Sequence, residues 1–181
     1  MKIFLATKNP GKISEFKEIL SGLSVDLVTC NDLEIPDVEE TGSTFVENAI
    51  LKARSASETT KLPSIADDSG IEVDFLKGRP GVWSARYAGI NATNDENNSK
   101  LLSELQGVTE NKRGACYRCV IVFMRFHNDP FPFIAQDSWR GSILEYQKGS
   151  NGFGYDPVFY LPNKGMTAAE LDSKEKHKIS H

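Results

Sequence analysis

A chain of 181 residues, 39% hydrophobic and 25% charged, fits one globular domain with enough apolar material for a substantial core. Its net charge of -4 lacks the basic surplus of a general nucleic-acid binder, although a local lysine cluster can still receive a small polyanion. Three cysteines are too few, and odd in number, for a secreted disulfide framework. With no apolar run long enough for a signal peptide or a membrane span, the composition predicts a cytoplasmic protein that does not enter a membrane.

Residues 2–6 (KIFLA) predict a short buried strand and 7–12 (TKNPGK) a loop of turn formers. Ile13, Phe16, Ile19 and Leu20 then recur at helical spacing, and 25–29 read as a second strand. Strand, helix, strand is a βαβ start and sets the fold class as α/β. An acidic loop fills 31–42. Thr44 with Glu47 is a capping box that opens a helix with Val46, Ala49, Ile50 and Ala53 as its apolar stripe. Asn48 and Lys52, four residues apart, share a different face.

The stretch 66-ADDSG-70 lies between 62-LPSI-65 and 71-IEVDF-75, and reads as a polar turn at the tip of two strands. A Gly/Pro/aromatic loop covers 78–89, and 95–106 predict a surface helix. Two long strands over 115–126 and 133–145, joined at Asn128-Asp129-Pro130, are expected to pair antiparallel. Glycines with embedded aromatics fill 149–159, and Thr167 with Glu170 repeats the capping-box pattern. The expected whole is one domain over 1–181: a twisted mixed sheet with flanking helices, in two lobes around a central active-site cleft.

Several groups carry possible chemistry, and each has a plainer reading. Cys116 and Cys119 have C-x-x-C spacing, but within a strand they point to opposite faces and lack the partners of a zinc site, so packing is favoured. The loop 7–12 joins a strand to a helix N-terminus. Unpaired N–H groups there, with Thr7, Lys8, Asn9 and Lys12, suit phosphate; Asn-Pro-Gly is equally a generic turn. Glu39, Glu40, Asp67 and Asp68 offer oxygen ligands for magnesium or a base for water, against the commoner fate of a solvated acidic loop. Asp67 and Asp68, as neighbours on extended chain, cannot share a role. Lys52 alone reads as a surface lysine. Phe153 and Tyr155 lie among glycines, where a ring has little local reason for burial and can stack on a base, while Asp156 can accept a hydrogen bond from it. Phe159 and Tyr160 read as core. Phosphate loop, carboxylates, lysines and stacking loop together suit a magnesium-dependent nucleotide hydrolase.

The segments 5-LATKNPGK-12, 40-ETGSTFVENAILKA-53, 65-IADDSG-70, 79-RPGVWSARYAG-89, 152-GFGYDPVF-159, 167-TAAEL-171 and 175-EKHKISH-181 resemble, in order and over nearly the whole chain, the inosine triphosphate (dITP/XTP) pyrophosphatase family. That family hydrolyses deaminated purine nucleotides such as ITP, dITP and XTP to monophosphate and pyrophosphate. The resemblance implies that Thr7 to Lys12 bind phosphates and that Glu40 and Asp68 hold Mg2+, with Asp68 also the proton acceptor. It further implies that Ser69 touches substrate and Lys52 steadies the triphosphate. Phe153, Gly154, Tyr155 and Asp156 would surround base and sugar, and Lys176 and His181 would close the base pocket. It also implies a homodimer. The family pattern continues past Ser-His with an arginine and a helix, which implies either weaker substrate binding or relaxed base selection in a chain ending at His181, or a sequence that is a fragment of a longer chain. The rival expectations are a pyrophosphatase for modified pyrimidine nucleotides and a nucleotide-binding module without catalysis. Nucleic-acid processing is disfavoured by the charge.

Overall fold

A computed structural model of the chain describes residues 1–180. Strand β1 (Lys2–Leu5), helix α1 (Pro10–Leu20) and strand β2 (Asp26–Thr29) form the expected βαβ unit, with Lys2 beside Asp26 and Leu5 beside Thr29 in parallel register. Ile13 is buried on α1, and Phe16 and Leu20 pack partly with it. Ile19 departs from expectation: it is exposed, because its position turns it off the stripe set by 13, 16 and 20.

Helix α2 (Phe45–Thr60) starts at the predicted Thr44 cap, with the Thr44–Glu47 capping box formed from both sides. Its Ala49 and Ala53 are fully buried against Ala66 and Val122, so small residues let the helix lie close to the sheet. Strand β3 (Ser64–Val73) corrects the reading of 66–70 as a turn. Ten residues run straight through Ala66, Asp67, Asp68 and Ser69 as one strand. The strand lies between β1 and β4 in the sheet, and that placement outweighs the local turn preference of Asp-Asp-Ser-Gly.

Helix α3 (Asn94–Glu104) is followed by β4 (Gly114–Met124), β5 (Phe133–Ile143), β6 (Phe159–Leu161), β7 (Met166–Thr167) and α4 (Ser173–Ile179). The last pattern, Thr167 with Glu170, caps a single 3₁₀ turn at Ala168–Glu170; Asp172 is the cap of α4. The seven strands lie in the order β2-β1-β3-β4-β5-β6-β7. β1 is parallel to β2 and β3, whereas β6 is antiparallel to β5 and β7, so the sheet is mixed as expected.

The chain packs as two compact units: Met1–Asp68 with Cys119–Gln136, and Ser69–Arg118 with the residues from Asp137 onward. In the first, Ile3, Leu5, Ile13 and Ile65 form one apolar cluster beside that of α2. In the second, Tyr117, Trp139 and Phe159 stack among Ile71, Leu101, Leu105 and Val158. Each large side chain so buried contributes about 1.5–3 kcal/mol. Cys116 is buried and Cys119 half-buried on β4, and neither is in a disulfide.

Candidate active site

In the first unit, β3 and α2 bring together the carboxylate and the lysine that the spacing singled out. Asp68 is largely buried. Its Oδ1 accepts from Lys52 Nζ at 3.1 Å and its Oδ2 from Asn48 Nδ2 at 3.3 Å. Asn48 and Lys52 stand one turn apart on α2, so one helix face supplies both donors. The same Lys52 Nζ donates to Glu40 Oε1 at 3.0 Å, from the loop before α2. Lys52 is therefore no solvated surface lysine, and Glu40 is not merely part of an acidic loop.

Burial pushes the Asp68 carboxyl above the ordinary aspartate range, although Lys52 pulls the other way. For Lys52, burial works to lower the ammonium, but the charges of Asp68 and Glu40 outweigh it and the net shift is upward. A base whose pKa lies nearer neutrality than a free aspartate's is better matched to accept a proton from water.

Two carboxylates that meet one ammonium form an all-oxygen donor pair. Among the described residues no group of three metal-ligating side chains occurs. That donor set suits a hard cation such as Mg2+, which is commonly held by one or two carboxylates with water and substrate phosphates completing the shell. Glu40 and Asp68 thus fit that ion and do not fit zinc, which takes nitrogen and sulfur ligands.

The other aspartate turns to the opposite face of β3, as strand alternation requires. Asp67 is buried and pairs with Lys12. The loop 7–12 differs from expectation in one respect. Asn9 caps α1, its Oδ1 accepting from the Gly11 N–H at 2.9 Å and the Lys12 N–H at 3.4 Å. Thr7 Oγ1 accepts from the Asn9 N–H at 3.3 Å. The amides expected to be unpaired are thus met by the loop's own side chains, the usual solution for asparagine before a helix. Lys8 reaches Asp37 at 2.5 Å in the open, and this hydrogen bond raises its pKa.

In the second unit, Phe153 is partly exposed and Lys176 Nζ lies 4.5 Å above its ring. Lys176 Nζ also donates to Asp156 Oδ2 at 2.7 Å, which accepts the Phe153 N–H at 2.9 Å as well. Asp156 is buried, and Tyr117 Oη donates to its Oδ1 at 3.3 Å. Gly152 has φ +75, and a Cβ there would run into the Asp156 carboxylate, so glycine is needed for the loop to fold over it. Phe153, Asp156 and Lys176 therefore form one cluster. Tyr155 corrects the reading of its ring as unburied: it lies in the core, with Oη donating to the Ser84 carbonyl at 2.8 Å. Gly154 offers its carbonyl to Asn98 Nδ2 at 3.0 Å. Ser69 follows Asp68 on β3, half-buried. His181 lies outside the described residues. Arg86, in the 79–89 segment, sits 4.5 Å over the Trp83 ring.

Tyr117 and Asn98 were not visible as site-supporting residues. Tyr117 stands in an apolar strand pattern that marks nothing. Asn97 and Asn98 carried a usable signal: α3 buries both, and paired asparagines inside a helix are a propensity cost that a purely exposed helix has no reason to bear.

Fold and site define an α/β protein built on a mixed sheet, with a helix lysine clasped between a strand carboxylate and a loop carboxylate. The chain belongs to the Ham1 family, whose sequence profile matches residues 3–181. It is 54% identical over 180 residues to the dITP/XTP pyrophosphatase of Yersinia pseudotuberculosis, covering 99% of this chain and 91% of that protein. The protein of the same name in Vibrio cholerae is 48% identical at 99% and 90% coverage. Among solved structures, a HAM1 protein from Coxiella burnetii superposes with a TM-score of 0.94 at 48% identity, covering 100% of this chain and 92% of that one. A nucleoside-triphosphatase / dITP/XTP pyrophosphatase from Mycobacterium abscessus gives 0.82 at 38% identity, with 100% and 94% covered.

Proposed function

We propose that the chain hydrolyses deaminated purine nucleoside triphosphates, ITP, dITP and XTP, to the monophosphate and pyrophosphate. The observation that carries this reading is the Lys52 ammonium held at 3.0 and 3.1 Å between Glu40 and Asp68. It is a centre with both a base and positive charge, as attack on a polyanion requires. The names of relatives at about half identity supply the substrate class.

Asp68 accepts a proton from the water that attacks the α-phosphorus. A new P–O bond forms there as the bond to the bridging oxygen breaks, and pyrophosphate departs with that oxygen. Lys52 steadies the charge that gathers on the phosphoryl oxygens. Thr7, Lys8, Asn9 and Lys12 bind the outer phosphates, exchanging their internal partners for phosphate oxygens, and Ser69 adds a contact beside Asp68. When bound by Glu40 and Asp68, Mg2+ supplies charge neutralisation for the triphosphate.

Phe153 stacks on the base, and Gly154 and Asp156 line it, with Asp156 holding Phe153 and Lys176 in place. Tyr155 supports that loop from the core. Lys176, and His181 by the family pattern, donate toward position 6, where hypoxanthine and xanthine carry a carbonyl and adenine an amino group. Donors left unpaired against adenine reject it. The protein acts on the cytoplasmic nucleotide pool as a homodimer, and light scattering of the purified chain tests that state.

Incubation with Mg2+ and ITP, XTP, dITP, ATP or GTP separately, with products resolved by chromatography, tests the reading. IMP and pyrophosphate from ITP, with ATP nearly untouched, is the expected result. Orthophosphate as the product, or no turnover of any nucleotide, overturns it.

A further inference from the structure

Asn48 is fully buried at the first turn of α2, and both ends of its amide are committed. Its Oδ1 accepts the Gly42 N–H at 2.8 Å. A backbone N–H can only donate, so this contact fixes which end of the amide is oxygen. The NH2 end must then face Asp68, to whose Oδ2 it donates at 3.3 Å. Gly42 lies two residues after Glu40. The contacts therefore close a ring: Glu40 to Lys52, Lys52 to Asp68, Asp68 to Asn48, Asn48 to Gly42, and back along the chain to Glu40.

The ring has a mechanical consequence. Glu40 rides on a loop with no regular structure of its own, between the bend after β2 and the Thr44 cap. Lys52 alone cannot fix it, because an ammonium on a four-carbon stem is a mobile point charge. The amide is short, rigid and buried. It ties the loop to the same atom group that orients Asp68. Gly42 is fitted to this contact: a Cβ there would lie 2.6 Å from Asn48 Oδ1 and 2.6 Å from Glu47 Cβ.

We infer that Asn48 is a positioning residue that holds the Asp68 carboxylate and the Glu40 loop at a fixed mutual spacing, so that the two carboxylates act as one site. The inference rests on the reaction proposed above only for its kinetic consequence. Loss of partners that orient carboxylates at a metal site costs about 10–100-fold in metal affinity or activity.

The test uses Asn48→Leu, which keeps the shape and removes both bonds, and Gly42→Ala, which disturbs the same contact without altering Asn48, Asp68 or Lys52. Mn2+ affinity is read by electron paramagnetic resonance without nucleotide, thermal melting reports folding, and kcat and KM are measured on ITP. The expected result is Mn2+ binding weakened about 10–100-fold in both variants, with kcat falling in the same range and KM little changed. Gly42→Ala carries the test if Asn48→Leu does not fold. Wild-type Mn2+ affinity and kcat in either folded variant overturns the inference, as does a loss that follows melting temperature alone. Weakened Mn2+ binding beside a wild-type chain that never hydrolyses ITP upholds the role of Asn48 and sinks the proposed reaction. A wild-type chain that neither binds Mn2+ nor turns over nucleotide overturns both.

Discussion

Asp67 and Asp68 are consecutive on β3 and meet different lysines on opposite faces of the strand. Asp67 pairs with Lys12 at the start of α1, and Asp68 with Lys52 of α2. Each aspartate is buried, and each ammonium offsets a charge that burial alone would penalise heavily. One dipeptide thus links the loop proposed for phosphate to the centre proposed for water activation, and the pleat of a strand keeps the two tasks apart.

Replacement of Asp68 by Asn should separate chemistry from binding. The amide keeps the shape but cannot accept a proton from water. Turnover of ITP is expected to fall by about 10²–10⁴-fold, the usual contribution of a positioned base. Nucleotide affinity measured by calorimetry should stay within a few-fold. A variant that retains a tenth or more of wild-type kcat would remove Asp68 from the role of base.

Replacement of the neighbouring Asp67 by Asn should look different. Lys12 keeps a neutral acceptor but loses its counter-charge. The change is expected to raise or lower KM while kcat stays within a few-fold, and to cost about 1–3 kcal/mol of stability through the weakened buried pair. Urea denaturation beside steady-state kinetics measures both. If Asp67→Asn abolished kcat as Asp68→Asn should, the division of labour across the strand would be wrong.

The contrast between these residues also separates what strand geometry dictates from what the rest of the sheet decides. Neighbours on an extended chain must face apart, so their separate partners followed from strand geometry alone. Their location did not: Asp-Asp-Ser-Gly is a turn by local preference, and only the flanking strands of the sheet make 64–73 one continuous element. Helix α2 was legible because its cap and its periodic alanines lie within a few residues of each other. The closure of Asn9 over its own helix was missed, although asparagine at that position is a strong capping signal. Tyr155 was misjudged because the glycines before it hide a partner 71 residues away in sequence, the Ser84 carbonyl. Lys176 over Phe153 is likewise a long-range meeting that no local pattern encodes.

The two aromatics of the glycine loop should divide just as the aspartates do. Phe153→Ala removes the exposed ring under Lys176. A stacked base is worth about 1–3 kcal/mol, so KM for ITP is expected to rise about tenfold or more while kcat changes less. Tyr155→Phe removes only the hydroxyl that donates to Ser84, and should lower stability by about 1 kcal/mol with KM unchanged. Equal effects of the two on KM would refute the assignment of stacking to Phe153.

The alkaline limb of stability should carry the signature of Lys52. Its pKa in the folded chain lies above the ordinary value of 10.5, because Asp68 and Glu40 more than offset the effect of burial. A raised folded-state value means that the native state holds the proton more tightly than the unfolded chain does. The stabilisation is therefore complete below pH 10.5 and is lost as pH rises through the folded-state value. Urea unfolding of the metal-free protein across that window should show wild-type stability falling more steeply than that of Lys52→Met, whose residue at this position cannot titrate. Identical slopes would mean that the ammonium gains no net stabilisation from its two carboxylates in the folded chain. Lys52 would then be no charge partner of Glu40 and Asp68 in solution, and the grounds for a shared centre would fall with it.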